Sequence, residues 1–366
     1  MEKSLSERKR HHLNVCLDPS YEVESGDTAL DRIAFPHRCM PEIDSRQVTL
    51  AADFIGMKLD LPLLVSCMTG GTNEGRRYNF LLAAIAAERK IAIGTGSIRI
   101  MLKDPDTLSH FQMKSLASNV PVLANIGAAQ LLEYPPETIT EAVKRIQADG
   151  LYIHLNPAQE FFQRHGERDF SGWFDAIRRL LDCARFPVLV KETGCGIPPS
   201  DGLRLLKAGA AYVDIAGSGG TDWIAVETHL QDIRERSAGE SFRRWGYPTG
   251  LILLAYRAMA LAGGEAGNLI SGRLIASGGL RIPRDFALAM ACGASMTAAA
   301  LPFIRRASYG SDEVHDFIDS IDRGLKAALV LTGAGSFKKL RDIPLRIPPD
   351  LEREANILAA DALSDE

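Results

Sequence analysis

FPVLVKETGCGIPPSDGLRLLKAGAAYVDIAGSGGT, residues 186–221, decides the fold. An apolar run ends in Lys191. An amphipathic stretch then closes on Gly209, and a second apolar run ends in the turn Ser218-Gly219-Gly220-Thr221. A near-continuous apolar strand buries both of its faces, and a helix between two such strands returns the chain to pair them in parallel. Gly209 stands where a helix C-terminus takes a left-handed residue.

The same unit recurs on both sides of this stretch. Earlier runs are LPLLVSC (61–67), IAIGTGS (91–97), VPVLANIG (120–127) and LYIHLN (151–156); later ones are RLIASGG (273–279) and SMTAAALP (295–302). Helix-like segments such as ITEAVKRIQADG and FDAIRRLLDCA lie between them. Eight strand–helix units over roughly 250 residues predict a closed (β/α)₈ (TIM) barrel, an α/β fold. An open doubly wound sheet is the alternative, and no G-x-G-x-x-G follows the first strand to support it. The expected division is an N-terminal extension (1–60), the barrel (61–342) and a C-terminal tail (343–366). The charged interruption from Asp222 to Gly246, after the sixth strand, reads as a solvated lid or subunit contact. The Pro-broken, acidic tail reads as a surface strap or loose end.

Composition narrows the function classes. The 366 residues carry 42 Lys and Arg against 46 Asp and Glu, a net charge of −4, which gives no reason to expect a nucleic-acid or membrane partner. Six scattered cysteines without a C-x-x-C pair suggest neither a zinc site nor a disulfide framework and point to a reducing cytoplasm. The N-terminus is too polar for a signal peptide, and no apolar run reaches the roughly 18 residues of a membrane span.

Barrel active sites form at the C-terminal ends of the strands, so the residue that ends each run is informative. In order these are Met68-Thr69-Gly70, Ser97 with Arg99, Asn125, then His154, Asn156, Gln159 and Glu160, then Lys191, Ser218 to Thr221, Gly278-Gly279 with Arg281, and Ala300. Glycine turns after the later strands let backbone N–H groups approach a phosphate. Lys191 at a barrel mouth suits a Schiff base, a flavin contact or pairing with a carboxylate. His154 and Asn156 share a strand face, and Glu160 after them suits a Mg²⁺ ion that is shared with substrate phosphate. The basic cluster Arg8, Lys9, His11 and His12 suits a diphosphate clamp; in isolation it is an ordinary basic terminus.

Taken in order, RKRHH, MTGGTN, GTGSIR, LANIG, HLNPAQE, GERDFSGW, PVLVKETGCG, DIAGSGGTDW, WGYPTG, ASGGLR and AALPF resemble the type 2 isopentenyl-diphosphate delta-isomerases of isoprene biosynthesis, from about Arg8 to Pro302. The resemblance implies an FMN-dependent interconversion of isopentenyl and dimethylallyl diphosphate, with Mg²⁺, with NADPH serving only to reduce the flavin, and with reduced flavin N5 as acid or base. It implies FMN contacts at Met68, Thr69, Gly70, Ser97, Asn125, Lys191, Ser218, Thr221, Gly278, Gly279, Arg281, Ala300 and Leu301. Substrate would be held by Arg8, Lys9, His12, Ser97, Arg99, Asn156 and Gln159, and Mg²⁺ by Glu160. Lys191, His154 and Gln159 are then the candidate catalytic groups, and a tetramer or octamer is the implied assembly. The chain departs from the family pattern at Ile98, Ala216, Leu230 and Ile282-Pro283. An FMN-dependent 2-hydroxy-acid oxidoreductase shares the barrel and the fifth-strand lysine but needs a late His base, and no His lies between His229 and His315. A divergent relative with altered substrate or lost activity is the third reading.

Overall fold

The computed structural model describes residues 5–231 and 236–364. Its centre is a closed parallel barrel whose eight strands run round the ring in chain order, the last pairing with the first. The barrel strands are β3 (Leu63–Val65), β4 (Ala92–Gly94), β5 (Val122–Gly127), β6 (Gly150–Leu155), β7 (Val188–Glu192), β8 (Tyr212–Asp214), β9 (Leu274–Ala276) and β10 (Met296–Ala299). They are preceded by an antiparallel hairpin of β1 (Ala52–Phe54) and β2 (Met57–Leu59). Each predicted apolar run coincides with one barrel strand, β6 starting one residue ahead of its run.

Sequence punctuation sets the helices. Thr72 caps Asn73–Arg89 by accepting the Gly75 N–H at 3.0 Å, and Asp222 caps Trp223–His229 by accepting the Ala225 N–H at 3.1 Å. Pro begins or nearly begins the helices Pro157–Phe162, Pro199–Lys207, Pro283–Ala291 and Leu301–Tyr309, where its missing N–H costs nothing. Every residue of β5 and β7 is buried, so both strands are covered by the barrel interior on one face and by helices on the other.

Three stretches are more ordered than their patterns suggest. Leu5–Leu17 is a helix with Leu13, Val15 and Cys16 buried. Its periodicity is masked because Lys9 and His12 also face inward, toward the strand ends. The interruption after β8 is solvated only in part: Ile224 to Thr228 are buried, whereas Arg236–Ser241 is mainly exposed. The tail forms a helix, Pro349–Ser364, which packs on Thr249–Ala262 through Leu351, Ala355, Ala359 and Ala362. Among the described residues no helix is long and apolar enough to cross a membrane.

Candidate active site

The strand C-termini and the helix Leu5–Leu17 enclose a cavity of about 260 Å³. Arg8, Lys9, His12, Met68, Thr69, Ser97, Arg99, Asn125, His154, Asn156, Gln159, Glu160, Lys191, Thr221, Gly278, Gly279, Arg281, Ala300 and Leu301 all line it. Gly70 and Ser218 do not. Gly70 turns its carbonyl to the Lys9 ammonium, and Ser218 donates its N–H to the Tyr247 carbonyl at 2.8 Å.

The glycine turns after β8 and β9 mesh. A Cβ on Gly278 would lie 2.1 Å from the Gly217 oxygen, and one on Gly279 would lie 2.6 Å from the Gly219 carbonyl carbon. Both residues have positive φ, 94° and 73°, so shape and conformation each demand glycine here. The predicted N–H cradle is partly spent within the protein, because Gly219 donates to Ser25 Oγ at 2.8 Å. Arg281 is also engaged: its Nε donates to Glu24 Oε1 at 2.6 Å, while Arg305 Nη1 donates to Glu24 Oε2 at 2.7 Å. Burial pushes the Glu24 carboxyl up, but the two guanidinium groups outweigh it and leave its pKa below the usual range.

Lys191 is buried, and its Nζ donates to the Glu192 carbonyl at 2.5 Å. The Glu192 carboxylate points away from the cavity. Its Oε2 gathers the N–H groups of Thr193, Gly194, Cys195 and Gly196 and so shapes the loop after β7. Burial nevertheless raises the Glu192 pKa.

His154 is held neutral in the site. Burial, helped by the charges of Lys191, Lys9 and Arg99, pushes its pKa down to about 3. Its Nδ1 lies 2.8 Å from Asn125 Oδ1, which places the proton on Nδ1 and leaves Nε2 as acceptor. Beside it, Asn156 Nδ2 donates to Gln159 Oε1 at 3.1 Å and to Glu160 Oε1 at 3.2 Å. Glu160 Oε2 accepts from Gln163 Nε2 at 3.2 Å and from the Glu167 N–H at 2.9 Å, so the carboxylate is oriented from behind.

The basic clamp is folded over the mouth. Lys9 Nζ donates to the carbonyls of Gly70, at 2.9 Å, and Ser97, at 3.0 Å. Burial first, then Arg8 and Arg99, lowers its pKa to about 7. Arg8 is lowered as well, again mainly by burial. Three cations thus crowd together, an arrangement that an incoming polyanion would relieve.

Sequence reasoning missed Glu227, which is buried. Its Oε1 accepts from Gln159 Nε2 at 2.9 Å and lies 3.0 Å from His12 Nε2. A signal existed: the Asp222 cap makes Trp223 and Glu227 neighbours on one helix face. Trp223 lines the cavity and meets the His12 ring edge-on at 5.4 Å. Of the departures from the family pattern, Ile98 is fully buried and donates its N–H to the Asn125 carbonyl at 2.8 Å. Ala216 lines the cavity with a φ of 39°. Leu230 ends the helix Trp223–His229 and packs partly buried against the core. The turn at Ile282-Pro283 is closed by Asp285 Oδ2, which accepts the N–H groups of Arg281 and Ile282 at 2.9 and 3.1 Å.

No family model matches the chain. Individual relatives do. The isopentenyl-diphosphate delta-isomerase of Paracoccus zeaxanthinifaciens is 38% identical over 337 residues, covering 92% of this chain and 95% of that protein. The enzyme of the same name from Methanothrix thermoacetophila is 38% identical over 345 residues, covering 93% and 92%. Among solved structures, a flavocytochrome b2 with benzoylformate superposes with a TM-score of 0.65 at 18% identity, covering 92% of this chain and 81% of that one. A lactate oxidase from Pediococcus acidilactici gives 0.64 at 14% identity, covering 93% and 92%. The solved structures share the fold, whereas the sequence relatives match more than nine tenths of the chain. This enzyme belongs to the type 2 isopentenyl-diphosphate delta-isomerase family.

Proposed function

We propose that the cavity binds FMN beside a prenyl diphosphate and interconverts isopentenyl and dimethylallyl diphosphate without net redox change. One observation carries this reading: Lys191, the meshed glycine turns and the basic clamp all line one cavity. The residues fit a flavin. Lys191 presents a buried cation, Met68, Ala216 and Ala298 to Ala300 offer a mostly apolar wall, and the missing Cβ atoms at Gly278 and Gly279 keep the turns tight. Leu301 begins a helix whose N-terminus lies at the same end as Arg281, a suitable place for a phosphate.

When bound and reduced, FMN supplies an electron-rich ring whose N5 serves as acid or base at the allylic carbons, and NADPH supplies the reducing equivalents. The protein's own side chains do the rest. Arg8, Lys9 and Arg99 hold the diphosphate, and Glu160 with substrate oxygens holds Mg²⁺. A single carboxylate is enough for an ion that keeps most of its waters. Among the described residues there is no cluster of three or more metal-ligating side chains, in keeping with a shared rather than a caged ion. His154 stays neutral and orients substrate as an acceptor. Gln159, held by Glu227, is set beside it. The helix Leu5–Leu17 excludes water, which protects cationic character on a tertiary carbon.

The test is direct. The purified protein should be yellow with about one FMN per chain, and should turn over isopentenyl diphosphate only with reductant and Mg²⁺. Colourless protein that takes up no FMN would remove the reading. The second reading, a 2-hydroxy-acid oxidoreductase, is favoured only by the likeness to lactate oxidase and flavocytochrome b2, and sustained oxidation of lactate or mandelate would establish it. Binding of FMN and prenyl diphosphates without turnover would identify a divergent relative.

A further inference from the structure

Parallel pairing puts His154, Lys191 and Asp214 in one row across β6, β7 and β8, and paired residues of a parallel sheet point the same way. Two of the three line the cavity. The third, Asp214, is wholly buried behind the wall, and its oxygens are both used: Oδ1 accepts from Ser277 Oγ at 2.5 Å and Oδ2 from Tyr152 Oη at 3.1 Å. The Ala216 N–H is a further donor. Ser277 itself lines the cavity, so the carboxylate sits one side chain away from any occupant.

The next position in the row is the buried, apolar Ile275 of β9. A barrel interior ordinarily fills such a position with Val, Ile or Leu, because a buried carboxylate must be compensated to be tolerated. Two hydroxyls, a backbone N–H and a lysine in the adjoining strand compensate this one. Burial raises the Asp214 pKa, and Lys191, Ser277, Tyr152 and the Ala216 N–H work against that rise.

We propose that Asp214, fixed by Ser277 and Tyr152 next to Lys191 in the strand row, is a negative charge that tempers the pull of the lysine on the flavin. This inference rests on the FMN reading. Lys191 alone would favour the electron-rich reduced flavin strongly. Asp214 offsets part of that preference.

The experiment is the two-electron midpoint potential of the FMN-loaded, full-length protein, compared with Asp214→Asn and with Asp214→Glu. The Asn variant should hold reduced over oxidised FMN at least about tenfold more tightly, which is an upward shift of about 30 mV or more. The Glu variant should return toward the parent value. FMN bound with an unchanged or lowered potential in Asp214→Asn overturns the inference and leaves the cofactor reading intact. A parent protein that binds no FMN overturns both. If Asp214→Asn does not fold, redox-difference infrared spectra of the parent, labelled with ¹³C-carboxyl aspartate, decide the matter. An ionised carboxylate band that moves on reduction, and is displaced by Ser277→Ala, supports the inference; a protonated carboxyl signal or no responsive band overturns it.

Discussion

At the scale of single residues, the titratable groups make the sharpest statements. His154 has a native pKa of about 3 against about 6.5 unfolded, so the unfolded chain takes up a proton that the native one refuses. Its contribution to stability is therefore present above about pH 6.5 and is lost progressively as the pH falls toward 3. His154→Gln should flatten the acid limb of the urea-midpoint profile between pH 6 and 4, and an unchanged limb would show that the imidazole is not shielded. Lys9 makes the complementary case. With a pKa of about 7, it is mostly uncharged at pH 8 and should be recharged by a bound diphosphate. Titrating pyrophosphate and Mg²⁺ into the protein at pH 8, in two buffers of different ionisation enthalpy, should reveal net proton uptake that Lys9→Met abolishes. Lys191→Ala should weaken FMN binding by roughly 10- to 100-fold, the worth of a charged hydrogen bond. Lys207→Ala, on an outer helix, should leave FMN binding unchanged. Lys191 and His154 were legible because they end apolar runs; Glu227 and Asp214 were not. Glu227 lies in a stretch that reads as charged and solvated, and Asp214 is hidden by the apolar residues on either side of it.

At the scale of elements, partners outside the local pattern decide what holds. Arg257, on the helix Thr249–Ala262, is buried and donates to the carbonyls of Ala291, Arg341 and Ile343. It staples three chain segments together. Arg257→Met leaves those oxygens without a donor, each costing about 1–3 kcal/mol, so the variant should lose roughly 3 kcal/mol or more in urea unfolding while its isolated site chemistry is untouched. The helix Leu5–Leu17 illustrates the limit of periodicity. Its inward face carries Lys9 and His12 as well as Leu13 and Cys16, because it roofs a polar cavity and not only an apolar core. A pattern search for one apolar stripe passes over such an element.

At the scale of the molecule, the barrel was countable because a parallel strand covered on both faces leaves an unbroken apolar run, and eight of them close. The tail was not, because its helix buries mainly alanines: Ala355, Ala359 and Ala362 make little hydrophobic contrast. Removing residues 349–364 would nonetheless bare one side of the helix Thr249–Ala262. Loss of Leu351 and the three alanines should cost about 4 kcal/mol, seen as a lower melting temperature and a tendency to associate. A truncated protein that melts like the full chain would show that the tail is only apposed. The interlocked turns after β8 and β9 have another consequence. Like the teeth of a zip, neither can gain an atom without parting from the other, so that side of the mouth has almost no freedom to drift. New substrate preferences in this lineage would have to enter through the roofing helix and the loop that follows β6, where side chains rather than backbones meet.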